Sequence, residues 1–280
     1  MRIAHLLLIH EYNAQLERLI QKLSHPEADI YIHVDLKKNI EDFAALKKHS
    51  RVYLVLKRVK VYWGSFTIVQ ATINGFAAIL SSGKEYGYIN LLSGQDYPVQ
   101  SINNIHKFLG DNPGKAFMEY YLVNEVWTEA ITRITRYHLA NYTFAGRYTV
   151  EKWLNKIMPE RKLPYGLTAV GRSQWFTIAS EFARYILDYI KSHPRIVKFF
   201  KLSWAPDELF FQTILHNSEY RDRMVNDNLR YIDWSEGKAS PKTLTAEDLP
   251  KIIASNKLYA RKLNAKIDGE IFDKLDEPAQ

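Results

Sequence analysis

Two adjacent acids, Asp207 and Glu208, have the residue type and the setting for chemistry. Pro206 comes directly before them, and proline suits the first position of a helix because its missing N–H has no partner there. Apolar residues from Phe210 to Leu215 recur at helical spacing, which predicts a helix packed into a core. One carboxylate in that first turn could act as a general base. Alternatively, both acids simply complement the positive end of the helix.

Neighbouring residues on a helix point roughly 100° apart, so Asp207 and Glu208 are not expected to face one reacting bond. This argues against a glycosidase-like pair of acid and base and favours a single base. The sequence has no Asp-x-Asp motif, which often marks metal binding in nucleotide-sugar transferases. Negative charge on a leaving group would then have to be stabilised by lysine or arginine.

The composition excludes several other classes of site. The chain of 280 residues has no cysteine, which rules out disulfides, thiolate metal sites and cysteine nucleophiles. Its nine histidines form no His-Glu-x-x-His pattern, and neither a Gly-x-Gly-x-x-Gly nor a Walker motif occurs. The formal charge of +7 suits an anionic partner such as a nucleotide, a phosphate-linked substrate or a lipid surface, and charge alone does not choose among them.

The apolar run Ile3–Ile9 is too short to span a membrane and lacks a signal-peptide cleavage pattern. We therefore expect a cytoplasmic protein, with peripheral association at the inner face of the membrane as an open alternative. A nucleic-acid partner is disfavoured because the basic residues are spread along the chain.

Alternating strand and helix patterns predict an α/β sheet that positions these acids. The run Ile3–Ile9, a helix capped by Asn13 and the strand Asp29–Asp35 form a β-α-β unit. Further strands are expected near residues 52–56, 86–92 and 115–118, and a helix over 66–80. The polar turn Ser93–Pro98 falls at the carboxyl edge of the sheet, where open α/β sheets bind ligands.

The pattern weakens from residue 119 to 165, where basic and aromatic residues accumulate. We interpret this as an insertion that carries substrate contacts or a surface patch, with solvated helical faces as the alternative. Beyond it we expect two strands at 167–171 and 174–179, then a helix capped by Ser180. A strand at 229–234 and a capping box at Thr245–Asp248 follow.

Five motifs then suggest a family. In order, they are Ile32–Asp35 (IHVD), Tyr88–Pro98 (YINLLSGQDYP), Ala205–Phe211 (APDELFF), Asn228–Trp234 (NLRYIDW) and Tyr259–Leu263 (YARKL). Together they resemble the core-2/I-branching β-1,6-N-acetylglucosaminyltransferase and peptide O-xylosyltransferase family, the last three resembling the xylosyltransferase branch more closely. The resemblance implies a GT-A-like fold with a mixed central sheet flanked by helices. It also implies a UDP-sugar donor and inverting transfer without a metal cofactor. The lack of cysteine points to a bacterial-type soluble member.

The resemblance also implies roles for individual residues. Glu208 would be the catalytic base, and Asp96 would shape the site without touching the ligand. The other positions divide into donor-binding residues, with Lys262 at the diphosphate and Asp35 at the uracil, and acceptor-binding residues. The donor set is His10, Asp35, Trp63, Arg261 and Lys262, and the acceptor set is Glu119, Trp175 and Trp234. A second diphosphate-binding arginine has no clear counterpart, and Lys238 and Lys242 lie nearest to its place.

These inferences combine into one functional prediction. Residues 1–280 form a single domain, with a nucleotide-sugar half at 1–118, the insertion at 119–165 and an acceptor and catalytic half at 166–270. The protein transfers GlcNAc or xylose to a glycan or lipid-linked acceptor in cell-surface glycan biosynthesis. The alternative is a non-catalytic sugar- or nucleotide-binding protein on the same fold. Sequence alone does not choose the sugar, the acceptor or the oligomeric state.

Overall fold

The computed structural model describes residues 1–277. Within this range the chain forms ten strands that belong to two sheets. In chain order the strands are β1 (Ile3–Ile9), β2 (Ala28–Val34), β3 (Val52–Leu54), β4 (Tyr88–Ser93), β5 (Asp96–Pro98), β6 (Ala116–Leu122), β7 (Val170–Ala179), β8 (Met224–Val225), β9 (Arg230–Ile232) and β10 (Tyr259–Arg261).

The helices of the same residues flank the larger sheet. They are α1 (Ala14–Lys22), α2 (Phe66–Leu80), α3 (Ile102–Gly110), α4 (Ile131–Thr135), α5 (Arg147–Ile157), α6 (Ser180–Ser192), α7 (Pro194–Phe200), α8 (Phe210–His216), α9 (Leu249–Ala254) and α10 (Glu270–Asp276). Short 3₁₀ segments lie at Ile40–Lys48, Thr128–Ala130, Pro164–Gly166, Pro206–Glu208, Arg221–Arg223 and Ala246–Asp248. No helix in residues 1–277 combines the length and the apolar character needed to cross a bilayer.

The larger sheet has seven strands in the order β3-β2-β1-β4-β7-β6-β8. The first four are parallel, β7 is antiparallel to both of its neighbours, and β8 runs parallel to β6. A second sheet has the order β5-β10-β9, so β10 pairs with β5, the strand directly after β4, on one side and with β9 on the other. The mixed central sheet flanked by helices that the sequence predicts is therefore confirmed.

Burial explains why the first half is predictable from sequence. Every residue of β2 is buried, and β1 is buried except at Leu8, as expected for central strands covered on both faces. The Asn13 side chain accepts a hydrogen bond from the Leu16 N–H and starts α1, as expected. The helix predicted over 66–80 and the capping box at Thr245–Asp248 are also present.

Two strands predicted at 167–171 and 174–179 are one continuous strand, β7, so that prediction is wrong. The register against β6 shifts between Met118 and Tyr120, so this stretch is irregular rather than broken. Such irregularities let polar residues stay in a strand while they redirect its side chains. The same pairing places Glu119 within β6, so the predicted start of the insertion falls inside a strand.

The helix predicted to start at Pro206 begins later, so that prediction is also wrong. Residues Pro206–Glu208 form a 3₁₀ turn, and α8 starts only at Phe210 because Leu209 has non-helical dihedral angles (φ −126°, ψ −38°). Ser180 does not cap α6 either: it is the first helical residue, and its hydroxyl donates to the Tyr86 carbonyl.

The segment predicted as an insertion is tied to the rest of the fold. The Asn141 side chain accepts from the Phe66 N–H (2.9 Å) and donates to the Lys201 carbonyl (2.6 Å), so it bridges the start of α2 and the end of α7. Arg161 is buried and donates to three carbonyls, those of Arg136, Phe199 and Leu202.

Candidate active site

Residues distant in sequence line one cavity of about 540 Å³. Seven of the ten residues predicted to act in the site are among them. These seven are Trp63, Glu119, Trp175, Glu208, Trp234, Arg261 and Lys262. The cavity also holds Asp207 and side chains that the sequence did not single out, chiefly Trp127, Glu129, Arg133, Arg172 and Trp204.

Glu208 presents a carboxylate with one occupied and one free oxygen. Arg133 of α4 forms an ion pair and a hydrogen bond with Oε2, and the Arg133 guanidinium also lies 4.8 Å from the centre of the Trp127 ring. Oε1 accepts no hydrogen bond from any residue in the described range 1–277, and the Glu208 side chain is 29% exposed. Arg133 thus orients the carboxylate and leaves one oxygen facing the cavity.

Asp207 lines the same cavity but is buried. Burial, and then the negative charge of Glu208, raise the pKa of Asp207 to about 7. Its Oδ1 has no hydrogen-bond partner within residues 1–277.

Close backbone packing holds the turn that carries these acids. A Cβ on Gly171 of β7 would lie 2.0 Å from the Glu208 carbonyl oxygen, so only glycine permits this approach. Ala205, just before the turn, has a left-handed backbone (φ 45°), which a residue with a Cβ adopts only at a cost. The Ala205 N–H donates to the Gly64 carbonyl (2.9 Å), which ties the turn to the segment before α2.

Two cations, Arg261 and Lys262, enter the cavity at the end of β10. Arg261 stacks on the Trp175 ring at 4.2 Å and donates to Asp96 Oδ2 at 2.9 Å. Lys262 has no carboxylate within ion-pair distance among residues 1–277, and burial followed by the charge of Arg261 lowers the pKa of its amine. A bound anion would favour the charged form of this amine.

Asp96 has the arrangement expected of a residue that shapes the site from outside the cavity. It is buried, and its Oδ2 accepts from the Ser93 N–H, the Ser93 hydroxyl and Arg261. The carboxylate thereby closes the turn after β4 and holds the Arg261 side chain.

A second group of charged residues surrounds Glu119 on β6. Its carboxylate lies 4.0 Å from the Arg172 guanidinium and accepts from Asn228 at 3.2 Å. Burial raises the pKa of Glu119, while the Arg172 charge opposes that rise. Arg172 also lies 3.6 Å from Glu129, so the cavity contains two separate arginine and carboxylate groups, one around Glu208 and one around Glu119.

Comparison with known proteins identifies the family. The family model described as Core-2/I-Branching enzyme matches residues 3–257. The chain belongs to the core-2/I-branching enzyme family. The family predicted from the motifs is confirmed.

Curated relatives of this family member include xylosyltransferases. Xylosyltransferase oxt of Drosophila melanogaster is 26% identical over 94% of this chain and 32% of the relative. Xylosyltransferase 2 of Rattus norvegicus is 24% identical over 98% of this chain and 33% of the relative. The chain therefore spans about a third of the length of these relatives.

Solved structures similar to this chain are more distant in sequence. Mouse xyloside xylosyltransferase 1 in its apo form has a TM-score of 0.42 and 12% identity, covering 92% of this chain and 97% of that one. The apo-form glycosyltransferase GlyE of Streptococcus pneumoniae TIGR4 has a TM-score of 0.39 and 11% identity, covering 94% and 55%. These likenesses are too weak to bear on function.

Within this family member, three predicted residues lie outside the cavity. His10 lines a neighbouring cavity of about 310 Å³, which shares Gln95 with the first. Asp35 is buried at the end of β2, where its Oδ1 accepts from the Lys37 and Val61 N–H groups. Asp96, the third, contacts Arg261, and its site-shaping role stays a prediction. The donor-binding roles of His10 and Asp35 stay predictions.

Lys238 and Lys242, the two candidates for a second diphosphate-binding cation, differ in their position relative to the cavity. Lys238 lines the cavity, whereas Lys242 forms an ion pair with Asp248 at 2.6 Å and is not part of the lining. The exposed rings of Trp63 and Trp234 also line it, Trp63 packing edge-on against Trp204 at 5.0 Å. Within residues 1–277, no group of three or more His, Asp or Glu side chains is placed to hold a metal ion.

Sequence reasoning missed Arg133, Arg172 and Trp127. All three fall in or beside segments where strand and helix patterns were weak, and only the fold brings them to Glu208 and Glu119. The one available signal was the concentration of arginine and aromatic residues in the predicted insertion, which pointed to the segment and not to a residue.

Proposed function

We propose that this protein transfers a sugar from a UDP-sugar to an acceptor hydroxyl with inversion at the anomeric carbon, using Glu208 as the general base. One observation carries the proposal. A single cavity holds a carboxylate with a free oxygen, Glu208 Oε1, and the cationic pair Arg261 and Lys262, of which Lys262 has no ion-pair partner within residues 1–277. A base and a site for an anionic leaving group are the two requirements of this reaction.

In the proposed step the acceptor hydroxyl donates its proton to Glu208 Oε1 as its oxygen attacks the anomeric carbon. The bond from that carbon to the diphosphate oxygen breaks on the opposite face, and UDP leaves with the electron pair. Arg133 keeps the other carboxylate oxygen fixed, so Glu208 remains oriented during proton transfer.

Arg261 and Lys262 would stabilise the charge that develops on the departing diphosphate. The Asp96 carboxylate and the Trp175 ring hold Arg261 in place, so little reorganisation is needed when the charge appears. We propose that these cations allow transfer without a metal ion.

The names of the curated relatives favour xylose as the first donor to test, with GlcNAc as the alternative. The acceptor is proposed to be a glycan or a lipid-linked glycan precursor of the cell surface. The exposed rings of Trp63 and Trp234 at the cavity give flat apolar faces on which sugar rings stack.

The first test replaces the base by its neutral isostere. Glu208→Gln is expected to lower the transfer rate by about 10²–10⁴-fold and to keep UDP binding, because only proton transfer is lost. Glu129→Gln is the matched control: it also removes a charge from the cavity lining, at a carboxylate that does not contact Glu208. Normal turnover by Glu208→Gln would refute the assignment of the base.

The remaining parts of the proposal have separate readouts. Activity should persist in EDTA, and a strict requirement for Mn²⁺ would contradict metal-free transfer. The anomeric configuration of the product, read by NMR, should be opposite to that of the donor. UDP binding without any transfer or hydrolysis of UDP-xylose or UDP-GlcNAc would instead support a non-catalytic binding protein.

A further inference from the structure

The helix α5 exposes an unusual concentration of apolar side chains. Seven of the seventeen exposed large hydrophobic residues in the described range 1–277 fall between residues 142 and 158. Three of them, Val150, Trp153 and Ile157, lie one to two turns apart on one side of α5 and are 43%, 65% and 57% exposed. No residue of α5 is buried.

This helix is attached by its polar side, the reverse of the usual arrangement for a surface helix. Glu151 Oε2 accepts from the Leu139 N–H at 2.8 Å. Asn155 bonds both ways with the Tyr137 backbone, accepting from its N–H at 2.8 Å and donating to its carbonyl at 2.7 Å. Glu151 and Asn155 therefore hold α5 to the body of the protein, and Val150, Trp153 and Ile157 are left facing outward.

Cations lie beside the apolar side chains. Lys152 and Lys156 are exposed on α5, and Lys162 is exposed just beyond it. None of the three forms an ion pair with a residue in the range 1–277. The one acid of α5, Glu151, is turned inward and engaged with residues 138 and 139. We call the surface made by Val150, Trp153, Ile157, Lys152 and Lys156 the outer face of α5.

We propose that the outer face of α5 docks on a membrane surface that contains anionic lipid. Tryptophan and aliphatic side chains would enter the boundary between headgroups and acyl chains, while lysines contact anionic headgroups. A second copy of the chain is a poorer occupant, because a twofold contact through this face would bring its lysines against each other. The eleven residues of α5 span about 16 Å, so binding through this helix should be weak and reversible.

This membrane contact does not depend on the proposed transfer reaction. Vesicle binding is measured without donor or acceptor, so its failure leaves the glycosyltransferase proposal intact. If both hold, an enzyme docked through α5 would meet lipid-linked acceptors at the surface where they are anchored.

Vesicle flotation tests the proposal with the chain of 280 residues. Binding is expected to vesicles of phosphatidylcholine with about one third phosphatidylglycerol and to be at least about tenfold weaker with phosphatidylcholine alone. Lys152→Glu/Lys156→Glu should weaken binding to the anionic vesicles by about 30-fold or more, since each basic residue contributes roughly fivefold. High salt screens the contribution of the lysines, so the binding that the parent retains there should depend on its apolar side chains. Trp153→Ser/Ile157→Ser should abolish that remaining binding.

Matched controls distinguish an effect of the outer face of α5 from a general effect of surface charge or of exposed apolar side chains. Ile253→Ser removes an apolar side chain of similar exposure (61%) from α9, and Lys191→Glu reverses a charge on α6; both should bind vesicles as the parent does. All altered side chains are exposed, so the variants should keep the circular dichroism spectrum and melting temperature of the parent. Equal binding by Trp153→Ser/Ile157→Ser and the parent would overturn the proposal.

The absence of cysteine allows a direct measurement of insertion. Ile157→Cys and Ile253→Cys, each labelled with an environment-sensitive fluorophore, should differ: only the label at 157 should shift to shorter wavelength with anionic vesicles. A label at 157 that responds to protein concentration or to single-stranded DNA, and not to vesicles, would assign this face to self-association or nucleic acid and refute the membrane proposal.

Discussion

At the scale of single residues, Asp207 and Glu208 carry the same chemical group in two different environments. Glu208 is partly exposed and paired with Arg133, whereas Asp207 is buried with an unpartnered oxygen. Burial raises the pKa of Asp207 from 3.8 to about 7, so the fold holds a proton there that the unfolded chain releases near pH 4. The protonated Asp207 therefore makes its whole contribution to the free energy of unfolding below pH 4, and this contribution is lost as the pH rises to about 7.

Asp207→Asn should remove this pH dependence, because asparagine resembles the protonated acid. Above pH 7 we expect the variant to be more stable than the parent by up to a few kcal/mol, and near pH 4 to differ little. Urea unfolding at several pH values measures the difference. Glu219→Gln, at an acid that does not line the cavity, is the control. A constant difference between pH 4 and pH 8 would show that Asp207 does not titrate in this range.

Arg133 should act as a positioning residue for Glu208. Arg133→Ala removes the ion pair to Oε2 and leaves the carboxylate free to rotate, so kcat should fall by roughly 10²-fold while UDP binding is kept. Arg133→Lys should restore part of the rate, since a lysine can reach the carboxylate but cannot stack on Trp127 in the same way.

Arg136→Ala is the control for Arg133, because it removes an exposed guanidinium one turn further along the same segment. The split between kcat and KM adds a readout that a purely structural role would not give. Loss of Arg133 should lower kcat and leave KM for the donor unchanged, whereas Arg136→Ala should change neither. An unchanged kcat in Arg133→Ala would contradict this positioning role.

At the scale of elements, β7 and the turn Pro206–Glu208 fit together only because residue 171 is glycine. A methyl group at this position would lie 2.0 Å from the Glu208 carbonyl oxygen and 2.9 Å from the Leu209 Cα, both backbone atoms. Gly171→Ala should therefore move the turn, lower stability by about 1–3 kcal/mol and reduce the transfer rate by displacing Glu208.

Gly110→Ala is the matched control for Gly171→Ala. Gly110 ends α3, has open space around its Cβ position and should gain about 0.4–1 kcal/mol from the lower entropy of the unfolded chain. Thermal unfolding and transfer assays on both variants separate a general effect of alanine from the steric effect at β7. Full activity in Gly171→Ala would show that the turn tolerates the displacement.

The elements also show why sequence reasoning succeeded in some segments and failed in others. Buried runs such as β1 and capped helices such as α1 are determined by local pattern, so they could be predicted. β7 is continuous because it pairs with β6 across an irregular register. The sequence of Gly171–Gln174 (GRSQ) lacks the apolar pattern of a strand, so this continuity could not be predicted from it. The late start of α8 follows from Leu209, whose backbone angles depend on packing against β7.

At the scale of the whole molecule, residues of both sheets line the cavity, among them Arg172 of β7 in the larger sheet and Arg261 of β10 in the smaller one. Asp96 of β5 and Arg261 of β10 form an ion pair at 2.9 Å with side chains 0% and 13% exposed. Asp96→Ala should cost about 3–5 kcal/mol, because it leaves a largely buried guanidinium without its partner. Asp111→Ala, which breaks the exposed pair with Lys107, should cost less than about 1 kcal/mol. Equal costs in chemical unfolding would exclude a special role for the buried pair.

The way the fold brings distant residues together explains which site residues could be predicted. Motif order placed Glu208, Arg261 and Lys262 in one site although about fifty residues separate them, and the fold brings them to one cavity. The arginines that complete the site, Arg133 and Arg172, reach it through contacts between α4, β7 and β6. Such contacts leave no periodic signal in the sequence.

Donor binding should stabilise the whole molecule, since the cavity draws on both sheets. A ligand at about 100 times its Kd adds roughly 2.7 kcal/mol, which corresponds to a rise in Tm of about 4–5 °C for a chain of this size. A thermal-shift panel of UDP, UDP-xylose, UDP-GlcNAc and UDP-glucose would then rank the donors. Lys262→Ala should remove most of the shift, because it deletes the cation without an ion-pair partner in residues 1–277, whereas Lys191→Ala on α6 should keep it. If no uridine nucleotide raised the Tm of the parent chain, this cavity would not be a UDP-sugar site, and the roles proposed for Arg261 and Lys262 would fall with it.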